Sequence, residues 1–184
     1  IAAAALRSDA PEALRGPLEA ACDETVSTPS FPYGCAVCEV EVDRDTGEVE
    51  VVRYTSVDDV GRAINPMIVH GQTHGGIAQG VGQALWELCD YDAETGQMRS
   101  ATFMDYAMPR ADMLPAFTTE ISEVPSTTNP LGLRGGGEGG TTPAPAAVVN
   151  AIVDALAHLG VEHIEMPATP ARVWEAIRTA AKRS

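Results

Sequence analysis

The chain has 184 residues, 45% of them hydrophobic, which is enough for one packed core and suggests one domain or slightly more. Its formal net charge of −14 disfavours nucleic acid and anionic membrane surfaces as partners. The sequence has no run of 18 apolar residues and no basic signal-peptide start, so it predicts neither a membrane span nor a leader. Because the first residue is isoleucine, a processed chain, a truncated gene product and a piece of a longer polypeptide all stay open.

The cysteines indicate a reducing compartment, and we expect a cytoplasmic protein. Their spacing shows no disulfide framework; they are Cys22, Cys35, Cys38 and Cys89. Cys35 and Cys38 form a C-x-x-C pair in a predicted strand, where residues three apart point to opposite faces. A shared metal or redox pair is therefore disfavoured, and Cys89 is expected to be a small buried residue.

The first half of the chain predicts an irregular start followed by β-structure. Residues 1–30 are expected to form a helical or irregular segment, and residues 31–184 the domain proper. Valines alternate with acidic residues across 35–60, and a turn sequence at 45–47 divides that stretch into the two strands of a hairpin. A related turn sequence at 94–96 predicts a second hairpin.

Three helices are predicted in the remainder. Residues 67–89 are predicted to be helical despite five glycines, each of which costs about 1 kcal/mol relative to alanine. We therefore expect another backbone or a ligand to pack on the bare face of that helix. More regular helices are predicted at 143–159, ending at Gly160, and at 170–181, with Thr169 as N-cap. Hairpins alternating with helices indicate an α+β fold.

The segment Arg134–Gly140 places one carboxylate, Glu138, among five glycines. Glycines remove side chains from around that carboxylate, so a bulky group can approach the backbone closely. Thr142 is the expected N-cap and Pro143 the first residue of the following helix, which puts Glu138 near the positive end of a helix dipole. This environment favours the ionised form that a general base needs. An exposed carboxylate in a flexible loop is the alternative.

Two pairs of polar side chains lie in the glycine-rich helix. His70 and His74 share one helical face and could bind zinc, but spacing supplies no third ligand and the H-E-x-x-H pattern is absent. Ordinary surface or core histidines are favoured, and no metal ligand is predicted. Gln72 and Gln79 carry amides that can donate and accept hydrogen bonds to a planar polar ligand.

Other readings of the glycines and acids are weaker. Glycines before a helix are typical of phosphate loops, yet no lysine completes a G-x-x-x-x-G-K-[ST] motif and no dinucleotide fingerprint is present. A small phosphate- or nucleotide-binding domain is therefore disfavoured. The pairs Asp58–Asp59 and Asp43–Asp45 are interpreted as turn formers on solvated faces.

Several further strings occur in a fixed order between about residues 30 and 180. They are Phe31-Pro32-Tyr33-Gly34, Glu41-Val42-Asp43 with Thr46-Gly47, Asp59-Val60-Gly61-Arg62 with Asn65-Pro66, Gly71-Gln72-Thr73-His74-Gly75-Gly76-Ile77-Ala78-Gln79-Gly80, Asp105-Tyr106 with Pro109, Asn129-Pro130-Leu131-Gly132, the glycine-glutamate segment, and Pro145-Ala146-Ala147-Val148-Val149-Asn150-Ala151. With these strings the chain resembles the C-terminal part of the large, molybdenum-cofactor-binding subunit of the xanthine oxidase family. The branch it is most similar to contains the aerobic carbon monoxide dehydrogenase and aldehyde dehydrogenase-like large chains.

The resemblance implies an α+β molybdopterin-binding domain and a set of site residues. Glu138 would be the catalytic base of a molybdenum hydroxylase that oxidises an aldehyde, CO or an N-heterocycle-type substrate with water-derived oxygen. Gln72 would hydrogen-bond the molybdenum-pterin cofactor, molybdopterin or its cytosine dinucleotide form. The backbone near the metal centre would include Gly136, Gly137, Gly139 and Gly140.

The resemblance also implies partners. The family's large subunit is several times longer, so this chain would share the cofactor with the remaining part of that subunit. Iron–sulfur and flavin subunits are expected besides a small-molecule substrate, and the chain alone is expected to be inactive. The alternative is a truncated structural module that binds no cofactor alone.

Two positions depart from the family's usual Lys-Gly-Val-Gly-Glu string. Arg134 replaces the lysine, which keeps the charge and changes the hydrogen-bonding geometry. Gly136 replaces the valine and adds room beside Glu138. Cys35 and Cys38 do not match the active-site cysteine loop of carbon monoxide dehydrogenases, so that role is not transferred to them.

Overall fold

A three-stranded mixed sheet forms one layer of the protein in the computed structural model, which describes residues 2–12, 15–16, 19, 21–23, 25 and 28–182. Strand β1 (Tyr33–Val42) pairs antiparallel with β2 (Val49–Asp59), and β3 (Thr118–Ser122) pairs parallel with β2 on its other side. The helices are α1 (Ala2–Ala5), α2 (Pro66–Leu85), α3 (Ala144–Leu156) and α4 (Pro170–Ala181), with 3-10 turns at Ala111–Met113 and Ala157–Leu159. The predicted α+β class is confirmed.

The first hairpin forms where the alternating valines predict it. Its turn is closed by the Asp43 carboxylate, which accepts hydrogen bonds from the main-chain N–H groups of Asp45 (2.8 Å) and Thr46 (3.2 Å). Gly47 follows with φ +76°, a conformation that favours glycine. The backbone hydrogen bonds from Asp45 and Thr46 lower the pKa of Asp43. Turn chemistry and strand pattern therefore agree.

The predicted second hairpin is wrong beyond its turn. Asp92 accepts hydrogen bonds from the N–H groups of Glu94 and Thr95, and Gly96 has φ +70°, so the turn repeats the first one. Only an isolated bridge between Tyr91 and Met98 follows. Tyr91 is 57% exposed, so this segment does not pack on the core. A two-stranded hairpin without a packed face is only marginally stable in water.

The core lies between the inner face of the sheet and helices α2, α3 and α4. Helix α3 packs against both β1 and α2. The largest buried side chains are Tyr54, Ile77, Leu85, Ile152, Leu156, Val81, Val148 and Val173. The apolar spacing predicted for the third helix is confirmed, since Val148 and Ile152 are fully buried. None of the described helices is long and apolar enough to cross a membrane.

Helix boundaries differ from the predictions in α2 and α3. Helix α2 ends at Leu85 rather than 89, and Cys89 is exposed rather than buried. Helix α3 begins at Ala144 with Pro143 as N-cap, so Thr142 is not the cap. The predicted end at Gly160 (φ +84°) and the N-cap Thr169 are confirmed.

Replacement of Tyr54 with phenylalanine is expected to keep or raise stability. Tyr54 is fully buried, and its hydroxyl has no hydrogen-bond partner among the described residues. At pH 7 we expect the free energy of unfolding to stay equal or rise by up to about 1 kcal/mol, because an unsatisfied hydroxyl is removed. Urea unfolding measures the change, with the exposed Tyr91→Phe as control; a loss above about 1 kcal/mol would show that the hydroxyl is bonded.

The same variant is expected to resist alkaline destabilisation. Burial raises the pKa of Tyr54 from 10.0 to about 12, with contributions from Cys38 and Asp58. A raised folded pKa gives stability that is present below pH 10 and lost as pH rises from 10 towards 12. Wild type should lose up to about 2 kcal/mol across that window, and Tyr54→Phe should lose less. Burial also raises the pKa of Cys38 to about 11, a loss that both proteins share.

Candidate functional site

The glycine loop comprises residues 134–140. Hydrogen bonds hold its start next to the residues that follow β2. Leu133 bridges Gly61, and the Arg134 N–H donates to the Val60 carbonyl at 2.9 Å. The Asn129 side chain accepts from the Leu133 N–H (2.9 Å) and donates to the Leu133 carbonyl (2.8 Å). These bonds tie the loop's first residue to the stretch that follows β2.

A buried ion pair fixes the same end of the loop. Arg134 Nε lies 3.7 Å from Asp59 Oδ1, and the two side chains are only 12% and 11% exposed. Asp59 Oδ1 also accepts from the main-chain N–H groups of Gly61 (2.8 Å) and Val124 (3.2 Å). The Arg134 guanidinium stacks 4.6 Å from the centre of the Tyr33 ring, within cation–π range.

The interpretation of Asp58 and Asp59 as solvated turn residues is therefore wrong. Both are buried at the end of β2, and Asp58 accepts a hydrogen bond from the Ser56 hydroxyl at 2.6 Å. A β-carbon added to Gly139 would lie 3.5 Å from Asp58 Oδ1, so this carboxylate sits beside the glycine loop. Neither residue belonged to the predicted site; the string Asp59-Val60-Gly61-Arg62 was the only signal near them.

The far end of the loop rests on α2. A β-carbon at Gly140 would overlap the Thr73 carbonyl oxygen and lie 2.9 Å from the Ile77 nitrogen. In return, a β-carbon at Gly76 would lie 2.8 Å from the Thr141 nitrogen, and one at Gly80 would lie 2.6 Å from Ala144 Cβ. The expectation that another backbone packs on the bare face of this helix is confirmed.

The remaining bare part of α2 faces a cavity of about 330 Å³. A β-carbon at Gly71 or Gly75 would meet no described atom within 4 Å, so the open space begins at the helix backbone. The cavity brings together one wall from α2 and one from the glycine loop. Its lining residues are Gly71, Gln72, Gly75, Gly76, Gln79, Gly137, Glu138 and Thr141.

The structure places Gln72 and Glu138 together in this cavity. The Gln72 amide donates from Nε2 to the Gly137 carbonyl at 2.7 Å, which joins the two walls one residue before Glu138. The Glu138 side chain is exposed at the cavity, and its carbonyl accepts from the Thr142 N–H at 3.0 Å. The exposed side chain agrees with one of the two expectations and the hydrogen-bonded backbone with the other, so the role of Glu138 stays a prediction.

The four glycines predicted to bind the cofactor divide into two groups. Gly137 lines the cavity. Gly136 packs towards Val60, where a β-carbon would lie 3.1 Å from Cγ1, while Gly139 and Gly140 pack towards Asp58 and α2. These three therefore hold the loop against the fold, in addition to any role at the cofactor.

The second amide and the histidines lie around the same helix. Gln79 accepts from the Thr141 hydroxyl at 3.4 Å and borders the cavity. His70 Nδ1 and His74 Nε2 lie 2.8 and 3.0 Å from the Thr119 hydroxyl oxygen on β3. The described part of the chain holds no cluster of three or more metal-ligating side chains.

A larger groove of about 730 Å³ lies away from the glycine loop. Its walls come from the first hairpin, the end of α2 and the segments around 113 and 168. Its acidic lining residues are Glu41, Asp43, Glu48, Glu50 and Asp112. We assign the candidate site to the smaller cavity because, of these two, it is the one in which a carboxylate, side-chain amides and a bare backbone come together.

A family model and the most similar curated proteins indicate the same family for this chain. The molybdopterin cofactor-binding domain model matches residues 5–115. The carbon monoxide dehydrogenase large chain of Hydrogenophaga pseudoflava is 39% identical over 81% of this chain and 18% of its own length. The nicotine 6-hydroxylase large subunit of Paenarthrobacter nicotinovorans is 43% identical over 83% of this chain and 18% of its own length. The chain thus spans about a fifth of these curated relatives.

Solved structures share the fold. The crystal structure of a Cu,Mo-CO dehydrogenase in its carbon monoxide reduced state superimposes with a TM-score of 0.78 at 35% identity, over 83% of this chain and 19% of that one. Quinoline 2-oxidoreductase from Pseudomonas putida 86 gives a TM-score of 0.72 at 45% identity, over 76% of this chain and 18% of that one. The predicted resemblance to xanthine oxidase-family large subunits is confirmed.

Replacement of Gly140 with alanine is expected to destabilise the chain by about 1–3 kcal/mol, because the new methyl group meets the α2 backbone. Gly137→Ala is the matched control in the same loop, since its β-carbon meets no described atom within 4 Å. The control should change stability by less than about 1 kcal/mol. Chemical unfolding of both variants tests the contact; equal losses would refute it.

Proposed function

Because the chain belongs to the molybdopterin cofactor-binding domain family, we propose that it forms one wall of a molybdenum–pterin site in a molybdenum hydroxylase. The observation that carries this proposal is the cavity in which Glu138 and Gln72 face the bare backbone of α2. The chain acts as a fragment or split subunit and shares the cofactor with the remaining part of a large molybdenum subunit.

The residues that line the cavity fit a large planar ligand. Gly71 and Gly75 form a cradle that β-carbons would fill, so a ring system can lie directly on the helix backbone. The bond from Gln72 Nε2 to Gly137 leaves the amide oxygen as an acceptor for the ligand. Gln72 thus holds the pterin, and the main chain at Gly137 forms the opposite side of the cradle.

Glu138 is the proton acceptor of the proposed reaction. The cofactor, when bound, supplies the oxidation–reduction chemistry, and Glu138 takes the proton from the water-derived oxygen that is transferred to substrate. A general base must reach that proton from a defined position. The loop provides such a position, because Arg134 fixes its start, Gly140 fixes its end, and the Glu138 side chain stays exposed between them.

The names of the relatives support a class of substrate but do not identify one compound. Their names include carbon monoxide dehydrogenase, nicotine 6-hydroxylase and aldehyde oxidoreductase, which supports CO, an N-heterocycle or an aldehyde as the substrate class. Iron–sulfur and flavin subunits, the cytosine dinucleotide form of the cofactor and a cytoplasmic location stay predictions.

Substitution of Glu138 with glutamine tests the base in the assembled enzyme. The amide keeps the shape of the side chain and loses proton affinity, so we expect kcat to fall about 10²–10⁴-fold with molybdenum content unchanged. The exposed Glu162→Gln, outside the cavity, is the matched control. Turnover within a few-fold of wild type would remove Glu138 from the mechanism. If no molybdenum is recovered with any partner, the chain is instead a structural module.

Replacement of Gly75 with alanine is expected to separate folding from cofactor binding. Alanine in an exposed helix position should raise the free energy of unfolding by up to about 1 kcal/mol. The same methyl group enters the cradle, so the molybdenum-to-protein ratio of the assembled enzyme should fall. Gln83→Ala, exposed on α2 outside the cavity, should leave that ratio unchanged. Full cofactor loading of Gly75→Ala would argue against a ligand on the helix backbone.

A further inference from the structure

Two histidine rings of α2 converge on one hydroxyl group of β3. His70 and His74 lie four residues apart and therefore share one face of the helix. His70 Nδ1 lies 2.8 Å from the Thr119 hydroxyl oxygen, and His74 Nε2 lies 3.0 Å from the same atom. Spacing along the chain supplies no third donor atom beside the two rings, but the fold brings one to them from β3.

These three side chains can direct lone pairs at one point. A threonine hydroxyl has a single proton, so it donates to only one of the two imidazoles, and the other ring must donate to the hydroxyl oxygen. In their neutral forms both rings can instead present an unprotonated nitrogen, and the hydroxyl oxygen has two lone pairs. A cation would therefore use all three donor atoms, whereas the single hydroxyl proton can serve only one of the rings.

The distances between the donor atoms favour some metals over others. Metal–nitrogen and metal–oxygen bonds of about 2.1 Å would place each ring nitrogen and the hydroxyl oxygen at about 90° around the ion. A tetrahedral ion with bonds of that length needs its donors about 3.4 Å apart. Tetragonal coordination by nitrogen and oxygen is typical of Cu²⁺ and Ni²⁺, and tetrahedral coordination is typical of Zn²⁺.

The donor atoms are held in place by packing. The His74 ring makes a T-shaped contact with Phe117 at 5.8 Å between ring centres, and Phe117 makes one with Tyr54 at 6.0 Å. His70 is half-buried, so its ring is also restrained, while His74 is exposed and leaves room for water on the ion. The rings therefore lose little conformational freedom when an ion binds.

The charges around the two rings also suit a cation. Neither α2 nor β3 contains a lysine or an arginine that would repel it. The chain as a whole carries a formal charge of −14, which attracts cations at long range. The described residues offer no third histidine, cysteine or carboxylate to the pair, so the third donor is the Thr119 hydroxyl.

We propose that His70 Nδ1, His74 Nε2 and Thr119 Oγ1 bind a divalent transition-metal ion of the copper–nickel class, with water as the remaining ligands. None of the three residues lines the cavity of the candidate site, and the inference does not depend on the proposed function. The ion joins α2 to β3, so it stabilises the folded chain by binding it in preference to the unfolded one.

Titration calorimetry of the full chain with nickel chloride tests the site. Wild type should bind a single Ni²⁺ at these residues, and His70→Gln or His74→Gln should weaken binding at least tenfold. Thr119→Val should weaken it at least threefold, and Thr119→Ser, which keeps the hydroxyl, should restore it. His158→Gln is the matched control, because His158 is exposed away from α2, and it should bind as wild type does. Circular dichroism checks that the variants fold alike.

A second measurement needs no variant. Paramagnetic Cu²⁺, added below one equivalent, should broaden the imidazole proton signals of His70 and His74 before those of His158 and His163. The same chain should bind Cu²⁺ more tightly than Ni²⁺, and Ni²⁺ more tightly than Zn²⁺. Equal broadening of all four histidines, or Ni²⁺ binding that survives both glutamine variants, overturns the site. Wild-type affinity in Thr119→Val overturns the hydroxyl as a donor, and a preference for Zn²⁺ over Ni²⁺ overturns the tetragonal geometry.

Discussion

The candidate site depends on one contact, in which the glycine loop and α2 meet backbone to backbone. Gly76 and Gly80 face the segment that begins at Gly140, and Gly140 faces the helix in return. A β-carbon on either side would enter space that the other element fills, so the contact needs glycine on both. The poor helix propensity of α2 and the glycine run of the loop are two halves of this contact. Its consequence is that Glu138 and Gln72 line one cavity.

The other end of the loop is held by charge rather than by close packing. Burying Arg134 and Asp59 costs solvation, so such a pair adds little net stability, whereas removing one partner typically costs about 3–5 kcal/mol. Asp59 also accepts from two main-chain N–H groups, and the pair therefore fixes the path of the chain. Between the two anchors, the backbone of Glu138 is positioned before any ligand arrives, and the base proposed for Glu138 would need this preorganisation.

Features set by local chemistry were predictable from the sequence, and features set by tertiary contacts were not. The Asp43 turn, the end at Gly160 and the N-cap Thr169 follow from neighbouring residues alone. The burial of Asp59 depends on an arginine far along the chain, and adjacent aspartates by themselves indicate a turn. The sequence alone did not distinguish Gln72 from Gln79. Only the family resemblance indicated that Gln72 is the amide at the site, where it bonds the glycine loop.

The two faces of α2 have different roles. One face packs in the core of this chain, and the other is open to solvent. The inner face buries Ile77, Val81 and Leu85 in a core made within the chain, so folding needs no further polypeptide on that side. The outer face carries exposed apolar side chains and bare backbone, which favour contact with something other than water. A cavity walled by one helix and one loop would leave most of a large ligand in contact with solvent. Cofactor binding and covering of the outer face should therefore reinforce each other, since each removes apolar surface and open backbone that the other leaves exposed.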